Sequence, residues 1–195
     1  MSDMQPLIGD DALDDLERAW IARARGRVLE IGAGRGENFG AFDPKIQWHG
    51  LEPDAGRRVE LAQRAREWGH EAVPLDAVAE RIPLPAASVD TVVATYVLCT
   101  VSGVRAALEE ARRVLVPGGT VLLVEHVLAP HSRTLRALQH AATPFTVRWC
   151  GGCHQDRDPL AELHAAGFTD VAVRRVRVHD RPLPPIPILL YEGRA

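Results

Sequence analysis

The segment Glu30-Ile31-Gly32-Ala33-Gly34-Arg35-Gly36, which ends the apolar run 27–31, constrains this chain more than any other. Glycine has no Cβ, so glycines at three alternate positions let the backbone turn sharply and bring its amides against a ligand. A strand, a glycine turn and a helix in that order open a nucleotide-binding α/β unit. A dinucleotide site spaces its last two glycines three residues apart, so that the helix packs closely while its N-terminus holds a pyrophosphate. Here the last two glycines are closer, and the carboxylate of Glu30 ends the strand. Negative charge there disfavours a pyrophosphate and favours a cationic or amine-bearing ligand.

S-Adenosylmethionine has that chemistry, with an ammonium and a sulfonium. Glu52 ends the next strand about twenty residues after the loop, where an acidic side chain accepts hydrogen bonds from ribose hydroxyls. A nicotinamide oxidoreductase is disfavoured by the glycine spacing.

The rest of the chain alternates strands and helices. Residues 11–24 place Leu13, Leu16, Trp20 and Ile21 at helical spacing ahead of the first strand, 27–31. A strand at 48–52 leads to a helix at 54–68, with Val59, Leu61, Ala62 and Ala65 facing the sheet. A short third strand is expected at 72–75. Pro83 and Pro85 make 81–87 a loop. The β-branched run 91–97 suits a buried parallel strand. Ser102 is placed to cap a helix with the stripe Val104, Ala107, Leu108, Ala111 and Leu115, ended by Pro117-Gly118-Gly119. A fifth strand follows at 120–127, then a helix at 132–142, an irregular stretch at 143–157 and a helix at 159–166. Strands at 170–178 and 187–192, separated by a proline-rich turn, are expected to pair as an antiparallel hairpin at the sheet edge. The segment 182–188 also suits an edge strand or a dimer contact. This pattern predicts an α/β, Rossmann-like, doubly wound, mostly parallel seven-stranded sheet in a single domain over 1–195, with a short N-terminal helix within 1–26 and a substrate-side insertion at 129–166.

At 195 residues, 46% hydrophobic and 25% charged with a net charge of -3, the composition argues against disorder and against a polyanion-binding surface, so no nucleic-acid partner is expected. The first twenty residues carry Asp10, Asp11, Asp14 and Asp15 and lack the basic start and apolar run of a secretory signal. No stretch has the roughly 20 apolar residues that span a bilayer. A cytoplasmic location is therefore expected, with no transmembrane segment. Three cysteines, Cys99, Cys150 and Cys153, are too few for a disulfide framework.

The segments 28–36, Leu51-Glu-Pro-Asp54, Ala79-Glu80, 83–92 and Ala111-Arg-Arg-Val-Leu-Val-Pro-Gly-Gly119 together resemble the class I S-adenosylmethionine-dependent methyltransferases of the type 11 group. The resemblance implies S-adenosylmethionine as cofactor. It assigns the methionine part to Glu30 and the glycines Gly32, Gly34 and Gly36, the ribose to Glu52, and the adenine edge to Ala79 and Glu80. Thr95 and Tyr96 would lie beside the reactive methyl group, and Ala33, Asn38 and Pro53 complete the cofactor-binding set. A narrower resemblance, carried by Val97-Leu-Cys-Thr-Val101, Val124-Glu-His-Val127 and 149–158, is to the microsomal thiol S-methyltransferases (methyltransferase-like type 7) and their soluble bacterial relatives. It departs from the membrane-bound members in having no N-terminal hydrophobic anchor and little sequence before the first strand.

Methyl transfer is an in-line displacement, so the protein chiefly aligns an acceptor lone pair with the methyl carbon and excludes water. A thiol acceptor reacts as thiolate, which nearby cationic side chains favour. His126, His154 and Arg157 are the candidate catalytic residues. Eight histidines are present, so each has an exposed or structural role as its alternative. Cys150 and Cys153 have C-x-x-C spacing, but with no second such pair a zinc or redox site is disfavoured and no metal ligands are assigned. Arsenite, held by Cys99, Cys150 and Cys153, is a minor alternative. The sequence therefore points to a methyltransferase with a small-molecule acceptor, preferably a thiol or other soft nucleophile. Phospholipid or other amine N-methylation and a non-catalytic S-adenosylmethionine-binding regulator remain the alternatives. The short N-terminus leaves open whether a partner or a second copy, as a homo-oligomer, covers the site.

Overall fold

A computed structural model describes residues 6–179 and 184–195. Seven strands, β1 (Leu7–Ile8), β2 (Arg27–Ile31), β3 (Gln47–Leu51), β4 (Val89–Thr95), β5 (Leu115–His126), β6 (Thr169–Val178) and β7 (Ile186–Arg194), form one sheet in the order β1-β6-β7-β5-β4-β2-β3. β2, β3, β4 and β5 pair in parallel, whereas β7 runs antiparallel to both β5 and β6. The C-terminal hairpin thus flanks the parallel part, with β7 inside the sheet and β1 pairing outside β6. Most of the proline-rich turn between β6 and β7 lies outside the described residues.

Helices α1 (Asp10–Ile21), α2 (Ala55–Glu67), α3 (Val104–Val114), α4 (Arg133–Trp149) and α5 (Leu160–Ala165) connect the strands. Because strand side chains alternate between faces, β2, β4 and β5 feed two cores. Leu29, Val92, Val121 and Leu123 pack with Ala107, Leu108 and Ala111 of α3 and Leu163 of α5. Val28, Val93, Leu122 and Val124 pack with Trp20 and Ile21 of α1 and Leu61 and Ala65 of α2. Burial on both faces explains why these strands are rich in β-branched and aliphatic residues with little polar alternation.

Several expectations are corrected. Residues 72–75 form no strand: one bridge, Leu51 to Leu75, holds them at the sheet edge, and β1 is the seventh strand instead. Gly103, not Ser102, is the N-cap of α3, and no side chain caps it in the usual way; the carboxylate of Glu80 accepts the Gly103 N–H at 3.0 Å. Val59 faces solvent, 72% exposed. α4 continues through Pro144 to Trp149, so 143–149 is helical rather than irregular. Thr143 and Thr146 brace that stretch, their hydroxyls donating to the carbonyls of Gln139 and Thr143. Among the described residues no helix is long and apolar enough to cross a membrane.

Candidate active site

The carboxyl ends of β2, β3 and β4 meet at one edge of the sheet, where ligands of open α/β folds bind. After β2 the chain turns with φ +63° at Gly32, +58° at Gly34 and +84° at Gly36. A Cβ on Gly32 would lie 2.5 Å from Val97 Cγ2, and one on Gly36 would lie 2.2 Å from the Phe39 ring. Both glycines are thus required by conformation and by space. The turn opens into a cleft of about 830 Å³ whose lining includes Gly32, Ala33, Gly34, Asn38, Glu52, Pro53, Ala79, Glu80, Thr95 and Tyr96.

Glu30 and Gly36 are not in that lining. Glu30 is buried beneath the cleft, its carboxylate accepting from Asn38 Nδ2 at 2.7 Å and Trp48 Nε1 at 2.8 Å. Burial pushes its pKa up to about 7, against the pull of those two donors. Asn38 also donates to Thr95 Oγ1 at 3.0 Å. Glu30 therefore holds Asn38 in place from beneath the cleft. Among the described residues, the charge that faces the cleft comes from Glu17, Glu37, Glu52, Asp54 and Glu80, against Arg35 and Arg57. That excess of carboxylates suits a cationic ligand. Glu52 accepts from the Gly34 N–H at 3.0 Å through one oxygen and the Asp54 N–H at 2.9 Å through the other. Each oxygen retains a second acceptor site, a pair matched to a vicinal diol.

Glu17, on α1, was not singled out from the sequence. The Tyr96 hydroxyl donates to its carboxylate, and burial pushes both pKa values up. A carboxylate four residues after Leu13 and three before Trp20, inside the apolar stripe of a helix, is the signal that was available. Tyr96 holds φ +57°, a left-handed conformation that costs a non-glycine residue energy and persists where surrounding contacts enforce it. Its ring packs 4.5 Å from that of His126.

Beyond Tyr96 the wall is built on Glu125, the penultimate residue of β5. Its fully buried carboxylate accepts the N–H groups of Val97, Leu98 and Cys99 at 2.9, 2.7 and 3.3 Å. Burial outweighs those donors and pushes its pKa up to about 7. Arg157 Nη1 donates to the Leu98 and Val101 carbonyls at 3.1 and 2.7 Å, so its guanidinium shapes this loop. The His154 N–H donates to the Cys99 carbonyl at 2.7 Å, and its Nδ1 lies 3.8 Å from Asp156. None of His126, His154 and Arg157 lines the cleft. The exposed Cys150 does, with Gly151. Cys153 is buried, with Sγ 3.7 Å from His126 Nδ1. A hydrogen bond from Cys99 and the neighbouring His126 pull the Cys153 thiol pKa down, while the same contact and burial push Cys99 up.

The Methyltransferase domain family, type 11, matches residues 29–123, which contain the turn, Glu52, Glu80 and Tyr96. Residues 29–123 are thus a methyltransferase domain of this family, and the chain is similar over most of its length to S-adenosylmethionine-dependent methyltransferases. It is similar to human thiol S-methyltransferase TMT1B, 32% identical over 160 residues that cover 80% of this chain and 66% of the human protein. Human thiol S-methyltransferase TMT1A is 29% identical over 153 residues, 77% of this chain and 63% of its own. The chain thus spans somewhat less than two thirds of the length of these relatives. The crystal structure of YcgJ from Bacillus subtilis superposes with a TM-score of 0.71 over 94% of this chain and 97% of that one, at 23% identity, which supports the fold. S-Adenosylmethionine is the cofactor of the family, and the acidic lining and free acceptor sites of Glu52 fit its cationic and ribose parts.

Proposed function

We propose that this chain transfers a methyl group to the sulfur of a small, apolar thiol or similar soft nucleophile, as a protein of the cytoplasm. The observation that carries this is the end of the cleft where Tyr96 and Glu17 meet Thr100, Val101, Cys150 and Gly151. When bound, the cofactor supplies an electrophilic methyl group: the acceptor's lone pair forms the new carbon–sulfur bond as the sulfonium bond breaks. Glu52 and the amides of the glycine turn hold the ribose and methionine parts, and Asn38, fixed by Glu30 and Thr95, braces the floor. Glu17 takes the proton of the incoming thiol, since burial makes it a better base than an exposed glutamate. Tyr96, hydrogen-bonded to Glu17 and locked over His126, aligns that carboxylate. The names of the similar human proteins support sulfur as the acceptor atom.

The test is release of S-adenosylhomocysteine with a panel of alkyl and aryl thiols, simple amines and phosphatidylethanolamine. Turnover that depends on a thiol is the expected result. Turnover with amines alone would move the acceptor to nitrogen, and cofactor binding without turnover on any acceptor would mark a regulatory protein.

A further inference from the structure

Three side chains that the cleft does not use converge behind Tyr96. Cys99 lies in the loop after β4, His126 ends β5, and Cys153 lies in the loop after α4. Their Sγ, Nδ1 or Nε2, and Sγ atoms all lie within 4.8 Å of one another, and Cys99 and Cys153 are only 2% and 6% exposed. We propose that Cys99, His126 and Cys153 form a binding site for a thiophilic divalent metal ion, of which zinc is the representative.

The geometry carries this in three ways. In a tetrahedral zinc site, metal–sulfur bonds of about 2.3 Å and metal–nitrogen bonds of about 2.0–2.1 Å set neighbouring ligand atoms roughly 3.5–3.8 Å apart. The 3.7 Å between Cys153 Sγ and His126 Nδ1 falls on that spacing. Two thiolates balance the charge of a divalent ion, so the loaded site is neutral and suits a buried position. Each ligand is also held through its backbone or ring, and the Cys99 thiol, which donates to the Tyr96 carbonyl at 3.5 Å, would give up that bond on binding a metal as thiolate. Glu125 accepts the Cys99 N–H, and the His154 N–H donates to the Cys99 carbonyl. Thr146 Oγ1 donates to the Cys153 carbonyl at 2.7 Å, and the Tyr96 ring packs on that of His126. Partners of this kind orient ligands in metal sites.

A disulfide between Cys99 and Cys153 would use the two sulfurs but give the converging imidazole nothing to do. The sequence motif pairs Cys153 with Cys150, yet Cys150 is exposed on the cleft side and Cys99 takes its place. Three protein ligands leave a fourth tetrahedral position for water or an exogenous ligand, as in catalytic rather than structural zinc sites.

The test uses the full chain, stripped with a chelator and kept reduced with a non-thiol reductant, titrated with zinc and with cobalt without cofactor or acceptor. The site predicts one tightly bound equivalent and a cobalt spectrum with thiolate charge-transfer and tetrahedral bands. Cys99→Ser, His126→Ala and Cys153→Ser should each weaken binding by more than the roughly 10–100-fold that loss of a supporting partner costs. Cys150→Ser should leave both unchanged. Zinc binding no tighter in the native chain than in the Cys99→Ser/Cys153→Ser variant would overturn the site. So would equal loss in Cys150→Ser, or a cobalt spectrum without thiolate bands in the native chain, which needs no variant to fold. None of these outcomes depends on the methyl acceptor.

Discussion

At the scale of single residues, the carboxylates divide by what surrounds them. Glu52 faces the cleft with two oxygens already oriented by backbone amides. Hydrogen bonds to a charged group contribute about 1.5–3 kcal/mol. Glu52→Ala should therefore weaken S-adenosylmethionine binding roughly 10–100-fold by calorimetry; unchanged affinity would remove Glu52 from the site. Glu30 and Glu125 are buried, with pKa values raised to about 7. Between the ordinary glutamate pKa and 7 the folded chain holds protons that the unfolded chain has released, so stability contributed by these groups falls as pH rises through that window. Each is predicted to contribute a decline on the order of 2–3 kcal/mol. Thermal unfolding of Glu30→Gln from pH 5 to pH 8 should show a flatter decline than the native chain, and parallel curves would contradict the assignment.

At the scale of elements, α1 and α4 complete what the sheet begins. Glu17 brings α1 onto the cleft, and Glu17→Gln should lower turnover about 100-fold or more while leaving cofactor affinity within a few-fold. Equal losses in both, read by single-turnover kinetics and calorimetry, would make Glu17 a binding residue instead. Gln139, buried on α4, accepts from the Ala129 N–H and donates to the carbonyls of Val127 and Gln155. Gln139→Ala leaves those groups without partners and should destabilise the fold by about 2–4 kcal/mol in urea unfolding. The elements legible in the sequence are those whose signal is local: the glycine turn, the β-branched run of β4 and the apolar stripe of α3. Elements fixed from a distance were not. β1 is two residues paired to β6 from the far end of the chain. The helix expected to end at 142 runs on through Pro144, where the Thr143 and Thr146 hydroxyls donate to the Gln139 and Thr143 carbonyls. Gly103 took the cap from Ser102 because Glu80 reaches its N–H.

At the scale of the whole molecule, the glycines and Glu52 were legible because glycine spacing and strand-end acids are sequence patterns, whereas Ala79, Glu80, Thr95 and Tyr96 were named through the family resemblance. The sheet edge then gathers Gly32–Gly34, Glu52 and Thr95–Tyr96 into one lining. Glu30 lies outside that lining for a physical reason: a carboxylate at a strand end can turn under the floor when Trp48 and Asn38 supply donors. Cys99 and Cys153 were grouped from the sequence only together with Cys150; that His126 joins them instead was not legible, because the three segments are brought near one another only by the topology. The central claim is that this cleft is an S-adenosylmethionine site, and calorimetric titration of the purified chain with the cofactor tests it most directly. Binding of one equivalent, abolished or strongly weakened in Glu52→Ala, is the predicted result; no heat of binding in a folded sample at saturating cofactor would contradict it.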